Sequence, residues 1–121
     1  MLKISNSMVL SVDDIKQKIK ENVEQEILEF KYIHVGNEYR FTPDFGIHFN
    51  LLNQQERTDL NNSRLGLSSM KFLISAGVVK IYPGQGLIVQ GYSLTVNAGP
   101  SAEDEQNISA LLGIPAIEKW R

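Results

Sequence analysis

The stretch from residue 70 to residue 99 constrains the fold most, because it joins alternating apolar residues to a turn sequence. Two β-forming runs, 78–82 and 87–89, flank Pro83-Gly84-Gln85-Gly86. Proline suits the second position of a tight turn and glycine the third, where the backbone takes a positive φ. This pattern predicts a β-hairpin. Alternate apolar positions then predict that the second strand of this hairpin continues over 91–96.

Residues 12–30 predict an amphipathic helix, because their apolar positions recur at steps of three and four. The resulting stripe contains Val12, Ile15, Ile19, Val23, Ile27 and Phe30. Ser11 is a suitable N-cap, and Asp13 and Asp14 lie in the first turn, where carboxylates are favoured. The charged opposite face indicates an ordinary solvated surface.

The segment after this helix predicts a second hairpin. Runs 31–35 and 38–41 alternate in polarity and are joined by Gly36-Asn37, a sequence typical of tight hairpin turns. Residues 46–51 alternate in the same way and predict a third strand. The polar stretch 53–64 is either a short exposed helix or a functional loop.

Two more helices are predicted on either side of the 78–89 hairpin. Residues 68–76 begin with serines that can serve as N-caps and end before a glycine. Ser101 and Asp104 resemble a capping box at the start of a C-terminal helix. That helix carries an apolar face and ends at Gly113.

These elements predict an α+β fold in a single domain, residues 1–121, with an N-terminal arm at 1–10 and a C-terminal tail at 114–121. We expect a mostly antiparallel sheet of about five strands. It packs against the N-terminal amphipathic helix, and a short C-terminal helix and an extended tail complete the chain.

Composition narrows the function classes. The 121 residues contain no cysteine, which excludes disulfides, thiolate nucleophiles and cysteine-based zinc sites. The net charge of −2 argues against nucleic acid as a partner, since phosphate binding favours a basic excess. No apolar run has the length of a signal peptide or membrane span, so we expect a cytoplasmic protein that does not bind membranes.

Three short motifs are candidates for catalytic or cofactor sites. Gly84-Gln85-Gly86 precedes a strand and lacks a third glycine, so it indicates a turn and not a dinucleotide loop. Ser68 and Lys71 have the spacing of some acyl enzymes but lack the partner motifs, so a helix cap is favoured. His34 and His48 could form a metal site with Glu38 or Asp44, although their spacing matches no ligand motif. We therefore expect no cofactor, no metal and no enzymatic activity.

Apolar residues near both ends of the sequence favour a contact with protein, either the chain's own domain or a partner. The N-terminal set is Met1, Leu2 and Ile4, and the C-terminal set is Ile114, Ile117 and Trp120. Tryptophan and arginine are typical anchors of protein interfaces. Arg121 and the arginines of the 53–64 stretch, Arg57 and Arg64, complete the predicted contact residues.

The sequence therefore predicts a non-enzymatic protein-interaction or assembly subunit that binds a protein partner or associates with itself. A small structural component of a multi-subunit, virion-like particle fits this description. One alternative is a winged-helix nucleic-acid-binding regulator, in which 68–76 would be the recognition helix and 78–89 the wing. Another alternative is a small inhibitor or adaptor protein.

Overall fold

The computed structural model describes residues 9–69 and 74–117. In chain order the elements are α1 (Val12–Lys20), β1 (Leu28–Val35), β2 (Glu38–Pro43), a 3₁₀ helix (His48–Leu51), α2 (Gln54–Arg64), β3 (Ile74–Tyr82), β4 (Gly86–Gln90) and α3 (Asp104–Leu112). All strand pairs are antiparallel, and the order across the sheet is β2-β1-β3-β4. The fold is α+β as predicted, and the sheet has four strands within the described residues.

Both predicted hairpins are confirmed, and glycines close their turns. Gly36 has a φ of 60° between β1 and β2, where Val35 pairs with Glu38. Gly84 has a φ of 76° between β3 and β4, where Tyr82 pairs with Gly86. These positive φ values are costly for any residue with a Cβ atom, so the turn glycines determine where each hairpin reverses.

Side chains pack against both faces of the sheet. On one face α1 and α3 cover Phe30, Tyr32 and Val79 through apolar residues that include Ile15 and Ile108. The other face carries a second buried cluster, with these members: Ile33, Val35, Leu51, Leu52, Leu60, Ala76 and Val96. The sheet thus lies between two apolar layers, and alternate side chains of β1 pack into the cores on opposite faces.

The predicted helix over 12–30 is too long. It ends at Lys20, and the apolar positions beyond it, Val23 and Ile27, are 80% and 55% exposed. The Asn22 side chain binds both the N–H and the carbonyl of Glu26, at 3.1 and 2.8 Å, and this local turn competes with the helix. Phe30 then belongs to β1, opposite Val79.

The strand predicted over 46–51 is wrong, because residues 48–51 form the 3₁₀ helix. The stretch 53–64 was predicted to be a short helix or a loop, and the structure shows a helix, α2, at 54–64. Asn53 caps α2 by accepting from the Glu56 N–H, and the Glu56 carboxylate accepts from the Asn53 N–H, at 2.8 Å each. This reciprocal capping box stabilises the start of α2.

Two further predictions around β3 and β4 are corrected. Residues 74–76 of the predicted helix 68–76 belong to β3, while residues 70–73 lie outside the described part. The strand predicted over 91–96 is a closed loop in which Ser93 and Ala98 form an isolated bridge. Val96 anchors this loop in the core, whereas Leu94 is 84% exposed, so the alternation does not reflect a buried face.

Short segments lie along the outer edges of the sheet. The Leu10 N–H donates to the Phe41 carbonyl of β2 at 2.8 Å. On the opposite edge the Leu87 N–H donates to the Pro115 carbonyl and the Ile117 N–H donates to the Leu87 carbonyl, at 2.9 and 2.8 Å. The C-terminal end of the described chain is therefore held by the chain's own β4.

Among the described helices, none has the length and apolar character that a membrane crossing requires.

Candidate functional site

The carboxylate of Asp104 is the most elaborately bonded polar group in the core. The residue is fully buried at the first position of α3. It accepts hydrogen bonds from the hydroxyls of Tyr32 at 2.6 Å and Tyr39 at 2.8 Å. The backbone N–H and hydroxyl of Ser101 add bonds of 2.9 and 2.8 Å. Four donors thus converge on one carboxylate.

Three parts of the fold position these donors. Tyr32 lies on β1 and Tyr39 on β2, and both side chains project to the face covered by α3. Ser101 lies in the turn before α3, where its N–H and hydroxyl reach Asp104 three residues later. The capping box predicted for Ser101 and Asp104 does not form, because Glu103 is the N-cap of α3 and the Ser101 hydroxyl donates to the Asp104 carboxylate. That carboxylate instead connects the helix to two strands.

The donors keep Asp104 ionised. Burial alone would raise the pKa of this carboxyl, but hydrogen bonds from Tyr32, Ser101 and Tyr39 outweigh it and hold the pKa below its usual value of 3.8. The buried Ser75 hydroxyl makes no hydrogen bond of normal geometry, yet it faces the same carboxylate and lowers this pKa further. The site therefore contains a buried negative charge.

The same contacts keep both tyrosines protonated. Burial and the hydrogen bond to Asp104 raise the pKa of Tyr32 far above its usual value of 10.0. Burial is also the main cause that raises the pKa of Tyr39, to about 12. Each phenol therefore acts as a donor toward the carboxylate and not as a base.

His34 lies beside this network. Its Nδ1 is 3.6 Å from an Asp104 oxygen, and its ring stacks on the Tyr39 ring with centroids 4.0 Å apart and planes 1° from parallel. The contact with Asp104 is too long for a hydrogen bond, so it is an electrostatic contact. Because Nδ1 faces the carboxylate, Nε2 points away from it.

An open cleft of about 610 Å³ lies above His34 and Tyr39. The other lining residues are Val12, Asn37, Glu38, Glu103, Asn107, Ala110 and Leu111. The Asn107 side-chain N–H donates to the Tyr39 hydroxyl at 3.0 Å, so the cleft is connected to the buried carboxylate through one phenol. The cleft and Asp104 together form the candidate site.

The lining of the cleft is partly polar and partly apolar. The groups in its described lining that can bear chemistry are one histidine, one tyrosine and two glutamates. In the described segments, no group of three or more histidine, aspartate or glutamate residues could hold a metal ion. The cleft presents polar groups around an apolar wall, which is the usual composition of ligand-binding and active sites.

His48 does not lie beside His34, contrary to the metal site that the sequence suggested for the two histidines. It is buried in the 3₁₀ helix, whose Leu51 packs against Ile33 on the opposite face from Asp104. Its Nε2 is 2.9 Å from the Gly77 carbonyl. Burial lowers its pKa, so His48 is a neutral structural residue and not a partner of His34.

The predicted contact residues fall into four groups. Arg57 is held internally: its guanidinium donates to the carbonyls of Leu52 and Asn50 at 3.0 and 3.2 Å and lies over the Phe49 ring. Arg64 is exposed and donates to the Thr95 carbonyl. Ile114 and Ile117 are partly buried, and Ile114 packs against the main core. The remaining predicted residues lie outside the described part: Met1, Leu2, Ile4, Trp120 and Arg121.

Sequence reasoning missed the centre of the site. Asp104 lies 72 positions from Tyr32 and 65 from Tyr39 in the sequence, and only the tertiary fold brings it to them. The available signal was a serine three residues before an aspartate, which indicates a helix cap and nothing more.

The bonded carboxylate predicts a specific dependence of stability on pH. Because folding lowers the pKa of Asp104, its contribution is complete above the usual value of 3.8 and is lost as the pH falls below it. We expect acidification from about pH 7 to about pH 3 to reduce the free energy of unfolding less in Asp104→Asn than in the wild type. Urea denaturation at both pH values measures this. Equal losses in the two proteins would contradict it.

Comparison with protein-family models, with curated proteins and with solved structures gives no match, so function is inferred from the geometry of this chain.

Proposed function

We propose that the protein is a non-enzymatic interaction subunit that associates with protein chains, including copies of itself. A structural role in a multi-subunit, virion-like particle is the form of this proposal that its small size fits. The observation that supports it best is an exposed group of leucines, here named the leucine surface: Leu65, Leu67 and Leu94. Their exposed fractions are 72%, 71% and 84%.

Two residues of the leucine surface, Leu65 and Leu67, belong to a hydrogen-bonded turn. Helix α2 ends in a turn where Gly66 has a φ of 76° and the Leu67 N–H donates to the Asn62 carbonyl at 2.8 Å. Such a turn usually buries its apolar residue against the last helical turn, but Leu67 stays exposed. Leucines held outward by a hydrogen-bonded turn are available to a partner without an ordering cost in the backbone.

The loop at 93–98 brings the third leucine to the same end of the molecule. Arg64 of α2 donates to the Thr95 carbonyl. Leu65 is the neighbour of Arg64 in the sequence and Leu94 is the neighbour of Thr95, so this bond connects the segments that carry the two leucines. The neighbouring Thr95 hydroxyl accepts from the Phe49 N–H at 3.2 Å, which fixes the loop. Burying one leucine contributes about 1.5–3 kcal/mol, so three can supply much of a contact's stability.

We expect Leu65→Ser, Leu67→Ser and Leu94→Ser, combined in one variant, to abolish self-association. Light scattering over a range of concentrations should give the wild type a mass above 13.6 kDa and the variant a mass near that value. A control with Val23→Ser and Ile27→Ser removes apolar residues that are also exposed, and it should behave as the wild type. A wild type that stays monomeric up to about 100 μM would contradict the proposal.

The alternatives have weaker support. A winged-helix regulator needs a recognition helix, and the stretch predicted for it contributes Ile74 to Ala76 to strand β3. An inhibitor or adaptor role shares the protein-binding surface with the main proposal and differs only in the effect on the partner.

A further inference from the structure

The hydrogen-bond donors and acceptors of the cleft above His34 and Tyr39 indicate which kind of ligand it can bind. Tyr39 donates its only hydroxyl proton to Asp104, so its oxygen must accept from Asn107. The Asn107 amide nitrogen therefore faces Tyr39, and its carbonyl oxygen is left for the cleft. The Tyr39 hydroxyl proton is therefore engaged by Asp104, and the Asn107 carbonyl oxygen is the group that can accept from a ligand.

His34 adds another acceptor. A carboxylate 3.6 Å from Nδ1 favours the neutral tautomer that carries its proton on Nδ1. The lone pair of Nε2 then faces away from Asp104, on the side of the cleft that His34 lines. The carboxylates of Glu38 and Glu103 stand at the rim, so the polar groups presented to a ligand are mainly acceptors.

The charge and the apolar wall of the cleft limit the class of ligand further. Neither lysine nor arginine occurs among the described residues that line the cleft, whereas two glutamates do. Arg40 donates to one oxygen of the Glu38 carboxylate at 3.0 Å. The other oxygen does not take part in this bond. Val12, Ala110 and Leu111 form an apolar wall. A complementary group is cationic, rich in donors and carried on an aliphatic stem.

We propose that the cleft binds an arginine side chain of a partner protein. A guanidinium presents five N–H donors in a planar fork, which suits several separated acceptors better than the point charge of a lysine ammonium. Its methylene stem would pack on the apolar wall. This inference rests on the proposed interaction role and identifies the chemistry of the partner, at a site distinct from the leucine surface.

Nuclear magnetic resonance titration of the ¹⁵N-labelled full chain with N-acetyl-arginine amide tests the assignment. We expect saturable shifts at the His34 Nε2 and the Asn107 side-chain amide. N-acetyl-citrulline amide, the neutral analogue of nearly the same shape, should produce much smaller shifts. Equal shifts with the two probes, or no saturable shift with the arginine probe, would overturn the proposal.

Two charge-matched variants complete the experiment. Glu103→Gln removes a rim carboxylate that makes no capping hydrogen bond, and we expect it to weaken binding of the arginine probe about threefold. Glu24→Gln changes the net charge equally at an exposed position outside the cleft lining and should leave binding unchanged. Equal effects of the two would show a nonspecific charge attraction and overturn the site.

The two proposals fail separately. Monomeric wild-type protein with arginine binding at His34 rejects the leucine surface and retains the cleft. Self-association that depends on the leucines, without arginine binding, rejects the cleft alone.

Discussion

Replacing Asp104 by alanine is expected to lower the free energy of unfolding by about 3–5 kcal/mol. The change removes the acceptor for the hydroxyls of Tyr32 and Tyr39 and for both donors of Ser101. Buried donors without an acceptor are costly, and α3 also loses its polar connection to β1 and β2. Urea denaturation followed by circular dichroism measures the loss.

The control is Asp44→Ala, which removes an exposed carboxylate from the turn after β2. Surface substitutions of this kind usually change stability by less than about 0.5 kcal/mol. If the two variants differ by less than about 1 kcal/mol, the carboxylate is not the organising group that its four donors indicate.

Gly86→Ala is expected to destabilise the protein by about 3 kcal/mol through strain and collision together. Gly86 has a φ of 140°, which residues with a side chain rarely adopt. A Cβ atom there would lie 2.4 Å from the Pro115 carbonyl oxygen, the acceptor of the Leu87 N–H. We therefore expect the C-terminal segment to detach from β4, with faster hydrogen exchange at Leu87 and Ile117.

Gly84→Ala provides the comparison within the same turn. Gly84 also has a positive φ, 76°, but a Cβ atom at this position meets nothing within 4 Å. Its cost should be the backbone term alone, about 1 kcal/mol. Equal destabilisation by the two variants would show that the packing of residues 115–117 on β4 contributes little.

Turn chemistry was the most reliable signal in the sequence. Gly36-Asn37 and Pro83–Gly86 each require backbone conformations that few other residues adopt, and both hairpins form where they were predicted. Register then follows from the turn. The start of α1 was predictable for a similar reason, because Ser11 and Asp14 bind each other's backbone N–H at 3.0 Å.

Apolar periodicity was less reliable because it does not show which face is buried. Val23 and Ile27 continue the stripe of α1 but lie in an exposed turn. Leu94 continues the alternation of a strand that does not form, because the loop at 93–98 closes on its own backbone. At these positions tertiary contacts and local side-chain bonds decided the structure.

The candidate site was largely beyond sequence reasoning. The sequence suggested His48, with Glu38 or Asp44, as companions of His34 in a metal site, whereas the structure places the His34 ring beside Asp104. The contact depends on how α3 docks on the sheet, and no local pattern encodes that docking.

The covered edges of the sheet bear on how such a chain can polymerise. An unpaired strand edge is a template onto which further chains add without limit, which is the route to cross-β fibres. Here Leu10 engages Phe41 on one outer strand, while Leu87 and Val89 on the other are bonded to residues 115–117 and to the Glu105 carboxylate. Growth by strand addition would first have to break these bonds. The proposed self-association would therefore use side-chain surfaces, and its growth ends only where the symmetry of that interface closes.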